Sequence, residues 1–138
     1  MKTISKLSIL LIIISAVVLS SCNFENEKGR ETSEMEEERA EKRDELLARY
    51  ENLKNEIDAR IAEIDRRMEG ATAEAREKLE DAREELLNER SELEEAMDDL
   101  REASNDTWDD VSTAAENTYA SVRDGFQRTI QDIEQWFE

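Results

Sequence analysis

The chain has 138 residues, with 37 acidic against 19 basic side chains, no histidine, no proline and a formal net charge of −18. So acidic a chain repels nucleic acid and anionic head groups. The lack of histidine removes the usual general base at neutral pH. One cysteine leaves no internal disulfide. Glu, Ala, Arg and Leu, all good helix formers, dominate and glycine is scarce, which is the composition of a long-helix or coiled-coil protein.

Lys2 and Lys6 precede a run from Leu7 to Leu19 that is apolar except for Ser8 and Ser15. That is the layout of a secretory signal peptide. The run is shorter than the roughly 20 apolar residues a membrane-spanning helix needs. It closes on Leu19-Ser20-Ser21-Cys22, which resembles a bacterial lipobox: an apolar residue, two small ones, then the acylated cysteine. The resemblance implies a cut before Cys22 and acyl chains on it, a firm membrane anchor when two or more are present. The plainer alternative is an ordinary signal peptide cut near Ser21 that leaves Cys22 a free thiol. A sole cysteine at the first position after the cut favours lipidation. Asn23 follows where an aspartate signals inner-membrane retention in some bacterial lipoproteins. By that resemblance the outer membrane is the favoured place, on its periplasmic side or at the cell surface. The expected organisation is a leader over 1–21, a flexible tether over 22–32 that begins at lipidated Cys22, and a helical domain over 33–138.

The tether expectation rests on 23–32, which has no apolar period. Ser33 and Glu36 then have the spacing of a capping box, which predicts a helix start there. Beyond it, Leu53, Ile64, Ala75, Leu86, Met97, Trp108, Tyr119 and Ile130 recur eleven residues apart. Parallel tracks hold Leu46, Ile57, Met68 and Leu79, and then Ala71, Ala82, Leu93, Ser104, Ala115, Phe126 and Phe137. Leu100, Val111, Val122 and Ile133 complete the stripe. Eleven residues over three turns is about 3.67 per turn, close to the α-helical value, so the stripe stays on one face. The period resembles that of apolipoproteins.

Glu38–Lys42, Glu45–Arg49, Glu56–Arg60, Glu63–Arg67 and Glu74–Lys78 are acid–base pairs at i,i+4, a solvated face rather than a site. Glu92, Glu94, Glu95, Asp98, Asp99 and Glu102 form an uncompensated acidic run. On one helix they wrap around it and do not converge on a cation, so no metal is expected. Gly70 and Ser104-Asn105-Asp106-Thr107 are the helix breaks, the first as a C-cap and the second as cap-forming residues. They divide the domain into 33–69, 71–103 and 106–137. The expected fold class is all-α: an elongated, coiled-coil-like antiparallel bundle of three helices, or a long helical hairpin.

Ala103-Ser104-Asn105-Asp106-Thr107-Trp108-Asp109-Asp110-Val111 resembles the Ala-Ser-x-x-Ala-Trp-acid-acid-Leu segment of small bacterial stress-response coiled-coil proteins. Tyr119 and Phe126 fall where that family has its next aromatics. Tyr50, Leu53, Ile57, Ile61 and Ile64 fit its first helix. The resemblance spans about 43–130 and implies a stress-linked, non-enzymatic role. Neither a cofactor, a small-molecule substrate nor a nucleic acid is expected. The expected partners are the membrane, through Cys22, and another copy or a protein client, through the helices. The different reading is an apolipoprotein-like protein whose stripe docks on lipid or apolar clients. Trp108, Tyr119, Phe126, Trp136 and Phe137 are the residues on which core and binding surface compete.

Overall fold

The computed structural model describes the backbone of residues 4–137 and the side chains of residues 29–137. The described backbone is three α-helices: α1 (Ile4–Met68), α2 (Ala73–Glu102) and α3 (Trp108–Trp136). The chain divides into two compact units, Met1–Ala40 and Glu41–Glu138.

In the first unit the described side chains are exposed except half-buried Arg39; Met35 is among the exposed ones. The backbone is helical through 29–33, where the end of a tether and a helix start at Ser33 were expected. Gly29 costs about 1 kcal/mol inside a helix, and with no proline nearby that is too little to break it.

The second unit is a three-helix bundle in up-down-up order. Arg83–Asp65 and Arg90–Asp58 ion pairs, at 2.8 and 2.9 Å, set α1 and α2 antiparallel. Thr129 donates to Glu85 at 3.0 Å across the antiparallel α2–α3 seam. Arg43 lies over Trp108 near one end of the bundle and Arg67 over Phe137 near the other, so α1 and α3 run parallel.

The expected breaks fall within two or so residues of the observed ones. Their chemistry differs at the first. Among the described residues no glycine has a positive φ, so Gly70 is not a left-handed C-cap. The turn is closed instead by Thr72, whose hydroxyl accepts from the Ala75 amide at 3.3 Å. At the second, the Ser104 amide donates to the Thr107 hydroxyl at 3.1 Å, and Asp109 and Asp110 favour the start of α3 electrostatically.

The core contains Tyr50, Ile57 and Ile64 from α1, with Leu46 and Leu53 beside them. It takes Leu79, Leu86, Leu93 and Leu100 from α2, and Trp108, Ala115, Val122 and Thr129 from α3. These sets recur every seven residues, as does the second α3 row of Ser112, Tyr119, Phe126 and Ile133. Within each helix, then, the buried face has the rhythm of a coiled-coil seam rather than the eleven-residue one. Both periods are built from steps of three and four, and they diverge only at particular positions. At those positions the eleven-residue stripe misplaces Ser104 and Phe137, which are exposed, and omits Ala96, Ser112, Thr129 and half-buried Glu89.

Candidate functional site

Leu19, Ser20, Ser21 and Cys22, the expected lipid-attachment segment, lie outside the residues whose side chains the structure describes. Among the described residues no helix is long and apolar enough to cross a membrane.

The five aromatic residues of the third segment part company. Trp108 is 4 % exposed and Phe126 is also buried, while Tyr119 is half-buried. Trp108 opens α3 and is covered by Arg43 of α1, whose guanidinium lies 5.2 Å from the ring centroid. The same guanidinium donates to the Ala103 carbonyl at 2.9 Å. Arg43 thus pins the last turn of α2 and the first of α3 to α1 with one side chain. Its Nε is buried and has no acceptor, which marks how tightly the group is enclosed. The sequence reading passed over Arg43, because a basic residue on a charged helix has no signature that separates it from its neighbours.

Tyr50 is fully buried, stacks obliquely on Tyr119 at 5.7 Å and donates its hydroxyl to the Ala115 carbonyl. Burial raises this phenol to about 12, against a smaller lowering by the Tyr119 backbone. A buried tyrosine with a satisfied hydroxyl holds two helices in register.

Trp136 and Phe137 end α3 at the surface, 39 % and 45 % exposed. Phe137 belonged to the expected stripe and is corrected to a surface residue: it lies past the last turn, where the helix no longer points it inward. Each ring carries a cation, Lys78 at 5.8 Å over Trp136 and Arg67 at 5.4 Å over Phe137. The two aromatics therefore sit beside the α1–α2 turn, at the opposite end of the bundle from Arg43 and Trp108.

The charged surface is partly as expected. Glu45–Arg49 and Glu63–Arg67 pair at 2.7 Å. Arg60 turns instead to Glu63 at 2.9 Å, and Lys42 crosses to Glu116. Arg60 and Arg67 together hold the Glu63 carboxyl below the usual carboxylate range, chiefly through the Arg60 hydrogen bond. The acidic run of α2 is not wholly uncompensated: Glu94 meets Lys54 at 3.4 Å, and Asp98 meets Arg101 at 3.2 Å. Among the described residues no three acidic or thiol side chains converge on a cation-sized site.

One carboxyl stands apart. Glu89 lies between Ala82 and Ala96 in the seam-facing row of α2, opposite Gly125 of α3. Burial, then Glu85 and Glu92, push it up to about 7, against the opposing pull of Arg128. A hollow lined by Glu85, Asn88, Glu89, Gly125, Arg128, Thr129 and Asp132 opens beside it. The bundle thus presents a clamped aromatic at one end, exposed aromatics at the other, and an unusual carboxyl midway along the α2–α3 seam. No family model, no curated protein and no solved structure matches the chain.

Proposed function

We propose that this is a lipid-anchored, non-enzymatic helical protein of the bacterial cell envelope that acts as a structural or interaction module. The observation that carries the reading is Leu19-Ser20-Ser21-Cys22 at the end of a basic-then-apolar leader, with Cys22 the only thiol in the chain. A slender acidic bundle suits such a role: it keeps its stripe buried and projects charged faces from a membrane. The lack of histidine supports a role without acid–base catalysis. The stress-response link rests on the resemblance of 103–111 and the upstream apolar positions.

The test is metabolic labelling with an alkyne fatty acid, for wild type and Cys22→Ser. Labelled wild type and unlabelled variant support the anchor. An unlabelled wild type, or a variant that is cleaved normally and still fractionates with membranes, rejects it.

The apolipoprotein-like reading keeps one supporting observation, the exposed Trp136 and Phe137 flanked by Lys78 and Arg67. Rings with cations beside them suit an apolar–water boundary. Flotation of the unacylated Cys22→Ser protein with vesicles, lost in Trp136→Ala, is the result that favours it.

A further inference from the structure

We infer that Glu89 and Gly125 form an acid-strengthened latch between α2 and α3, which holds the helices together when the carboxyl is protonated and loosens them when it ionises. The inference is independent of where the protein resides.

Two local rules are broken at one spot. A glutamate occupies a core row whose neighbours seven residues either side are Ala82 and Ala96. Facing it, α3 carries a glycine in its interior, where any other ordinary residue except proline favours the helix more. The two departures fit each other. An alanine methyl built at 125 would overlap Glu89 Oε1, so only glycine admits the carboxyl where it lies. Gly70, by contrast, has nothing near its missing side chain. Coincident departures of this kind mark a place where the chain gives up helix propensity and core apolarity for something else.

The surroundings disfavour charge on that carboxyl. Glu89 Oε2 is buried and has no hydrogen-bond partner. On its own helix Glu85 and Glu92 add negative charge, and Glu85 is held close by the Thr129 hydroxyl at 3.0 Å. From α3, Asp132 adds another acid beside the hollow and Arg128 is the cation that opposes them. On the α1 side the neighbouring Arg90 is engaged by Asp58 at 2.9 Å.

A carboxyl whose folded value stands near 7, above its ordinary 4.5, binds its proton more tightly in the closed seam than in the open one. The closed seam is therefore favoured below the ordinary value. That advantage is lost as pH rises through about 7. Above that, the ionised carboxyl is tolerated only by turning out to water, and α3 is released along Val122–Thr129. The proton comes from and returns to solvent.

The experiment is hydrogen exchange by mass spectrometry on the full chain in detergent micelles, at about pH 5 and about pH 8, corrected for intrinsic rates. Wild type should lose protection over 122–129 on the order of tenfold between them, well short of full linkage because a half-exposed group is screened. Glu89→Gln, neutral at every pH, should abolish most of that loss. Gly125→Ala should expel the carboxyl, return its titration (followed by its carboxyl carbon resonance) to the ordinary range, and likewise flatten the pH response. An unchanged pH response in both variants overturns the latch. So does a wild-type Glu89 that titrates as an ordinary carboxylate.

Discussion

Trp108→Ala is the most direct test of how this bundle is held together. The indole is 4 % exposed, so the substitution removes most of a large ring from the core. At about 25 cal/mol per Å² over roughly 150–200 Å², burial alone accounts for about 4–5 kcal/mol. Measured truncations of buried aromatics to alanine cost about 3–5 kcal/mol, and partial collapse of the cavity argues for the middle of that range. Arg43 then loses the ring beneath it, worth about 0.5–1 kcal/mol more, although its bond to Ala103 survives. A total of about 4.5–5 kcal/mol is a large share of the roughly 5–15 kcal/mol of a typical domain. It should lower the melting temperature by about 15–25 °C. The assay is thermal and urea unfolding followed by circular dichroism, with Trp136→Ala as control. Trp136 is 39 % exposed at the last turn, and its loss should cost under about 1 kcal/mol. A Trp108→Ala protein that melts within a few degrees of wild type refutes the assignment of Trp108 to the core. It also moves α3 to the head of the candidate binding surfaces.

Arg43→Ala should destabilise by about 1–2 kcal/mol, and a double-mutant cycle with Trp108→Ala should return a coupling of about 0.5–1 kcal/mol; no coupling means the cation–ring contact contributes nothing. Gly70→Ala should be neutral or stabilise by up to about 1 kcal/mol, because φ there is negative and the space open; a clear loss in urea unfolding would contradict the turn as described. Tyr50 has a folded value near 12 against an ordinary 10, so its contribution is complete below 10 and lost as pH rises through 12. Tyr50→Phe should therefore cost about 1 kcal/mol at neutral pH and blunt alkaline unfolding; the same alkaline midpoint in both proteins removes Tyr50 as its cause.

Composition and period were enough to determine an all-α chain with breaks near Gly70 and Ser104, because helix propensity and an apolar stripe are local properties that each segment carries alone. Trp108 and Leu86 were legible as core for the same reason. The resemblance of Leu19-Ser20-Ser21-Cys22 to a lipobox, on which the proposed anchor rests, is also local, a run of residue types read without a fold.

What only the tertiary structure decided is how helices meet. Eleven- and seven-residue rhythms share most of their positions over a helix of 30 residues, and only the partner helices choose between them. That choice placed Glu89 in the seam and left Ser104 and Phe137 outside it. Arg43 over Trp108, Tyr50 against Ala115 and Glu89 against Gly125 each join residues far apart in the chain. Their meaning arises from desolvation and from the group brought opposite, and neither exists until the three helices are packed.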